Sequence, residues 1–210
     1  MAFRLIIFDL DGTLADTQDD LAAAVNATRA FRGLPPLGLP GIRSAIGDGA
    51  RSLVERTVGR EGVEESLGHF IHYYREHSVV KTRLYPGVLE VLRATEDRIR
   101  AVVTNKPERI SRRILKALEV DGHFVEVIGG DTLPVRKPDP AAVLGLLQRH
   151  SIPPDSALMV GDSPIDVATA KAAGIASAAL RGGYADPGAL EASRPDFLLV
   201  SLGDLLGQIG

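Results

Sequence analysis

Two aspartates one residue apart, in Asp9-Leu10-Asp11-Gly12-Thr13, follow the short apolar run Leu5–Phe8. Carboxylates at i and i+2 leaving a strand can project the same way. Two of them close together repel, so a cation or a proton must sit nearby. Asp-Gly is also a common surface-turn pair, but two carboxylates beside a buried strand are costly without a purpose. A second segment, Val103-Thr104-Asn105-Lys106-Pro107, puts a hydroxyl at a strand end and a proline where a helix begins. Free backbone N–H groups at such a junction suit a phosphate, although Thr104 or Asn105 could merely cap the helix. Lys137-Pro138 offers an ammonium that would balance carboxylates and a phosphoryl group, or would simply face solvent. Gly161-Asp162-Ser163-Pro164-Ile165-Asp166 reads as a helix start, with Ser163 as N-cap and Pro164 in the first turn. Asp162 and Asp166, four apart, can share one side of it, where acidic charge is also favourable for the helix itself.

The elements that must position these residues are legible as alternating patterns. Apolar runs occur at Leu5–Phe8, Ile99–Val103, Phe124–Ile128, Ala157–Val160, Ile175–Leu180 and Phe197–Val200. They are short and mostly not of alternating polarity, as expected of strands buried on both faces of a parallel sheet. Amphipathic segments lie between them. Ile110, Ile114, Leu115 and Leu118 follow Pro107 at helical spacing, and Val143, Leu144 and Leu147 follow Pro140. The alternation predicts a doubly wound, Rossmann-like α/β core with a parallel sheet, whose ligand crevice lies at the carboxyl ends of the strands. All four segments above would then converge. From about Asp16 to Tyr85 no strand is expected. Leu21, Val25 and Thr28 share one helical face that Gly33 and Pro35-Pro36 terminate, Leu53, Val54 and Val58 suggest a second helix, and Phe70, Ile71 and Tyr74 a third. The division expected is a catalytic core of residues 1–15 and 86–210 with an inserted all-helical cap, 16–85.

Composition narrows the function classes. Of 210 residues, 45% are hydrophobic and 24% charged, the balance of a globular chain. The net charge of −3 supplies no basic footprint, which argues against nucleic acid as a partner. With no cysteine, disulfides, thiolate metal sites and a Cys nucleophile are excluded. No apolar run approaches the ~18 residues of a membrane span, and the amino-terminal run is too short for a signal-peptide core of ~7–15 residues. A cytoplasmic protein is expected, without membrane partners.

Several Asp oxygens in one crevice, without Cys or a paired-His motif, point to a hard cation, Mg²⁺ by preference. A hydroxyl, helix N-terminal amides and a lysine beside it suit a phosphate bridged to that ion. No Gly-x-x-x-x-Gly-Lys-Ser/Thr loop is present, so a P-loop enzyme is excluded. A carboxylate can itself be the nucleophile, passing through an acyl phosphate.

In order and spacing, the four segments resemble the four motifs of the haloacid dehalogenase superfamily, phosphatase branch, and the helical insert resembles the small cap of one subgroup. Ile46-Gly47-Asp48-Gly49-Ala50-Arg51, Tyr85-Pro86-Gly87-Val88, Val103–Pro107 and Gly129-Gly130-Asp131-Thr132-Leu133-Pro134 are similar to the phosphoglycolate phosphatase subfamily. The resemblance implies that Asp9 attacks phosphorus. Asp11 protonates the leaving alkoxide and then activates water, which needs a raised pKa. Thr104, with Gly12, Thr13, Asn105 and nearby amides, would hold the phosphoryl oxygens, and Lys137 would offset their charge. Mg²⁺ would be held by the Asp9 carboxylate, the Asp11 carbonyl and Asp162, with Asp166 acting through water or orienting the ligands. The cap would close over the site. Gly47 and Arg51, with Arg43 as another candidate, would contact a small phosphorylated metabolite. The expected assembly is a monomer or homodimer.

Rival readings differ in particular residues. Similar phosphosugar mutases carry a His in the first cap helix and a Lys beside the cap-loop glycine, where this chain has Leu21 and Ile46. Dehalogenases lack an acid/base at the Asp11 position. Pyrophosphatases and other small phosphatases would share the core motifs. A phospho-acceptor switch would be ~120 residues without a helical insert. His69 and His72, at i and i+3, could pair on a metal but more simply belong to a solvated helix face; His77, His123 and His150 read as surface residues.

Overall fold

The computed structural model describes residues 3–209, so the outermost residues of the expected core, Met1, Ala2 and Gly210, lie outside it. The chain begins with β1 (Leu5–Phe8), all four of whose side chains are fully buried. Leu5 and Ile7 join one apolar cluster and Ile6 and Phe8 the other, as a strand with layers on both faces requires. Burial of each such side chain is worth about 1.5–3 kcal/mol relative to exposure.

Two very short strands, β2 (Ala15–Asp16) and β3 (Arg83–Leu84), pair antiparallel and enclose the insert. They correct the expectation of no strand between Asp16 and Tyr85; two residues are too few to carry a periodic pattern. Between them run α1 (Gln18–Phe31), α2 (Leu39–Arg43), α3 (Ala50–Thr57) and α4 (Val63–His77). Leu21, Val25 and Thr28 are buried on one face of α1, and Phe70 and Tyr74 on α4. The extra helix α2, with Pro40 in its first turn, was not expected. Asp20 ties the insert shut: its carboxylate accepts the N–H groups of Val80, Lys81 and Thr82 and the Thr82 hydroxyl at 2.7–3.0 Å.

The remainder alternates: α5 (Val88–Ala94), β4 (Ile99–Val103), α6 (Glu108–Ala117), β5 (Glu126–Ile128), α7 (Ala141–His150), β6 (Ala157–Gly161), α8 (Pro164–Ala173), β7 (Ala176–Leu180), α9 (Pro187–Ala192), β8 (Phe197–Leu199) and α10 (Leu206–Ile209). The sheet order is β5-β4-β1-β6-β7-β8, all parallel. The winding reverses at β1, so the carboxyl ends of β1, β4 and β6 border the crevice of a doubly wound sheet. The α/β core with an inserted helical cap is therefore the architecture of the chain. Pro107 and Pro140 precede α6 and α7 as N-caps rather than occupying their first turns.

Candidate active site

Asp9 extends β1 by one residue. Its N–H donates to the Val160 carbonyl at 2.9 Å, so the backbone stays in sheet register while the side chain emerges at the strand end. Asp162 follows β6, and Asp166 lies in the first turn of α8, inside a capping box with Ser163. These three carboxylates each place an oxygen within 4.8 Å of the others, and all are buried. Lys137 Nζ stands 2.9 Å from Asp9 Oδ1 and 2.6 Å from Asp166 Oδ1. Its contact with Asp9 is an ion pair without hydrogen-bond alignment, which leaves Asp9 Oδ1 buried and without a hydrogen-bond partner.

Asp11 turns away from that trio. Its Oδ1 accepts from the Thr17 hydroxyl at 2.6 Å and its Oδ2 from Lys106 Nζ at 2.8 Å. Its carboxylate is thus committed to Thr17 and Lys106 and does not join the acidic trio. Lys106 is buried and lies 4.7 Å from the centroid of the Tyr74 ring, on cap helix α4.

The electrostatics follow from burial. Desolvation raises the Asp9 pKa from 3.8 to about 6, opposed by Lys137 and assisted by Asp166 and Asp11. Burial, then Asp166 and Asp9, push Asp162 well above the ordinary carboxylate range. Burial disfavours the ammonium of Lys106, yet Asp11 and Tyr74 hold its pKa above the ordinary value. Asp166 and Asp9 do the same for Lys137. Four carboxylates here face two ammonium groups, a surplus of negative charge suited to a divalent cation. The orphaned Asp9 oxygen and the all-oxygen donor set also fit such an ion. Backbone packing keeps Asp162 in place. Gly12, at φ +78°, and Gly183 lie so close that a Cβ on either would strike its carboxylate.

The other expected residues divide. Thr104 follows β4 at the cleft, its N–H bonded to the Ile128 carbonyl at 3.0 Å and its hydroxyl accepting from Lys106 N–H at 3.3 Å. It does not cap α6. Asn105 is a clasp: its Nδ2 donates to the Gly47 carbonyl of the cap at 3.0 Å and to the Lys137 carbonyl at 3.1 Å. That amide group is committed to the protein, while Asn105 itself lines the cleft. Gly47 lines the cleft, whereas Gly12 and Thr13 do not; they wall a separate cavity behind it with Tyr85 and Leu202. Arg51 is also corrected: it is half exposed and pairs with Glu64 at 2.8 Å on the cap surface, away from the cleft. Arg43 crosses from α2 to the core, donating to the Gly183 carbonyl and lying 5.6 Å over the Tyr184 ring. His69 stacks on Phe31 at 4.5 Å and does not join His72 in any acidic or metal-type cluster among the described residues.

Two site residues had no role in the sequence reading. Lys106 lay inside a quoted segment but carried no distinguishing signal. Tyr184 donates its N–H to Asp162 Oδ2 at 2.5 Å, and its hydroxyl accepts from Thr17 N–H at 2.6 Å and donates to Asp16 Oδ1 at 3.0 Å. The only hint was Gly182-Gly183-Tyr184 after an apolar run, a position like the other three strand ends.

Comparison with known proteins places the arrangement. The profile of haloacid dehalogenase-like hydrolases matches residues 6–180. The chain is 42% identical to phosphoglycolate phosphatase 1 of Pseudomonas aeruginosa, over 97% of this chain and 78% of the relative. It is also 42% identical to the phosphoglycolate phosphatase of Chromobacterium violaceum, over 97% and 96%. The crystal structure of a predicted phosphoglycolate phosphatase from Haemophilus somnus 129pt superposes with a TM-score of 0.94 at 35% identity, covering 99% of this chain and 98% of that one.

Proposed function

The chain belongs to the haloacid dehalogenase-like hydrolase family, and from that premise we propose that it is a Mg²⁺-dependent phosphatase of small phosphate monoesters, acting on 2-phosphoglycolate. The observation that carries the reading is the buried Asp9–Asp162–Asp166 trio with Lys137 beside it, at the carboxyl ends of β1 and β6. The names of the relatives support the substrate. The cap is residues 16–85, joined to the core, 1–15 and 86–210, at the β2–β3 pair.

Asp9 attacks phosphorus in line, the P–O bond to the leaving group breaks, and an aspartyl phosphate forms. Asp11, held by Thr17 and Lys106, gives a proton to the departing alkoxide. It then takes one from the water that attacks the acyl phosphate, and Asp9 and inorganic phosphate are released. Thr104 and the amides beside it hold the phosphoryl oxygens, and Lys137 offsets their charge. Asp9, Asp162 and the Asp11 carbonyl would hold Mg²⁺, with Asp166 orienting Lys137; the ion supplies charge neutralisation at the transferring phosphoryl group. Leu21 and Ile46 both line the cleft where the resembling mutases place His and Lys, which supports hydrolysis over phosphoryl relay between sugars.

A panel of small phosphate esters, ranked by kcat/KM with Mg²⁺ and with EDTA, tests the proposal. Many turnovers, abolished by EDTA and led by 2-phosphoglycolate, are expected. Sugar phosphates or pyrophosphate far above phosphoglycolate would refute the substrate; a single slow phosphorylation would refute the hydrolase.

No helix among the described residues is long and apolar enough to cross a membrane.

A further inference from the structure

Lys106 is the one cationic side chain lining the cleft among the described residues. Its ammonium has three donors, and Asp11 Oδ2 takes one of them. Beside it, with its ring 4.7 Å from that ammonium, Tyr74 lines the same cleft, is 1% exposed, and has a buried hydroxyl whose O–H finds no acceptor. A buried donor without an acceptor costs about 1–3 kcal/mol, so such a group in a binding cleft calls for a ligand oxygen. The rest of the cap wall is apolar, and the two arginines suited by charge are engaged elsewhere, Arg51 with Glu64 and Arg43 with Gly183.

We propose that Lys106, with the Tyr74 hydroxyl, binds a carboxylate on the leaving group and so sets the enzyme's preference for acidic short-chain phosphate esters. This rests on the phosphatase reading above and deepens it. The ester oxygen must lie at Asp11 to receive a proton. A carboxylate one methylene beyond that oxygen stays beside the ammonium bonded to Asp11. The reader of the leaving group therefore sits on the core, between β4 and α6, and the cap contributes a hydroxyl and an apolar wall.

The test compares kcat/KM for 2-phosphoglycolate and its neutral counterpart, 2-phosphoglycolamide, with 2-phospholactate as a second acid. In wild type the acid is expected to lead the amide. In Lys106→Met the acid-to-amide ratio should fall about 10- to 100-fold, the range of one charge-assisted hydrogen bond. Lys106→Arg should keep most of the ratio, and Tyr74→Phe should lower it about fivefold. Equal loss on both esters in Lys106→Met would mean that Lys106 acts only through Asp11, overturning the inference and leaving the phosphatase reading intact. A wild type that prefers phospholactate, with the acid-to-amide ratio collapsing in Lys106→Met, would refute phosphoglycolate as substrate and uphold the inference. A wild type indifferent to the carboxylate would overturn the inference and leave the phosphatase reading intact. Thermal unfolding checks each variant; if Lys106→Met does not fold, Lys106→Gln is judged by the same ratio.

Discussion

The core side of the cleft presents Asp9, Asp11, Lys106 and Asp162, whereas the cap side presents Leu21, Ile46, Leu53 and Phe70. The core wall is held by ion pairs and backbone hydrogen bonds at strand ends, which fix each charged side chain in place. The cap wall is held by side-chain packing from α1, α3 and α4 over the face of the sheet that bears Ile6 and Phe8. Chemistry common to all phosphate esters belongs on the first, because charge must be aimed to a fraction of an ångström. Selection by size belongs on the second, because an apolar wall discriminates by volume. Changes on the core side should therefore slow every ester alike, Lys106 excepted, and changes on the cap side should reorder them.

The largest effect expected is that of Asp9→Asn. Removing the attacking carboxylate should lower kcat by about 10⁴-fold or more on acid, amide and aromatic esters equally. The same variant should be more stable than wild type in metal-free solution near neutral pH. The sign follows from the raised pKa. Unfolded Asp9 titrates near 3.8 and folded Asp9 near 6, so its favourable contribution is complete below pH 3.8 and is lost as pH rises through 6. Asparagine carries no such loss. The gain at pH 7.5 should be about 3 kcal/mol, shrinking toward pH 4, read as urea midpoints in EDTA. Undiminished turnover would remove Asp9 as nucleophile; a pH-independent gap would remove the buried charge as the cause.

The two walls were also unequally legible in the sequence. Asp9 and Asp162 stood out because each follows an apolar run at a strand's carboxyl end, and the order of runs fixes where those ends meet; Lys137, nine residues past β5, was marked by the motif resemblance. Tyr184 escaped because its bonds to Thr17 and Asp162 span 167 and 22 residues, and nothing local marks them. Lys106 escaped differently, and the clasp made by Asn105 with it. Both were seen, but whether a polar side chain at a helix start faces backbone, substrate or another charge depends on what the fold brings opposite. Here that was Asp11 and Gly47. On the cap, apolar periodicity gave α1, α3 and α4, while α2 and the β2–β3 pair were too short to leave a pattern.

Leu53→Ala sharpens the comparison from the cap side. Leu53 is buried and lines the cleft, so the truncation should cost about 2–5 kcal/mol of stability and enlarge the space for a leaving group. The ratio of kcat/KM for p-nitrophenyl phosphate to that for 2-phosphoglycolate should rise about tenfold, the scale of a small volume change in an apolar pocket. If both esters change by the same factor, the apolar wall does not sort substrates, and the division between the walls fails on this side.

The smallest effect expected is at Arg51, and its smallness carries information. By charge and position in the first turn of α3, beside the cap loop, Arg51 is a natural partner for an anionic substrate. It instead pairs with Glu64, both side chains well exposed, on the surface joining α3 and α4. Exposed pairs of this kind contribute about 0–1 kcal/mol, since solvent screens the attraction and ordering two long side chains offsets it. Arg51→Gln should therefore leave kcat/KM for 2-phosphoglycolate within about twofold and change the stability, read by urea unfolding, by no more than about 0.5 kcal/mol. The informative exception is a KM raised more than about tenfold with kcat unchanged, the signature of lost uniform binding. It would mean that Arg51 leaves Glu64 and enters the cleft when the cap closes on substrate. The cap would then carry charge recognition of its own, and the contrast between a charged floor and an apolar roof would hold only for the ligand-free protein.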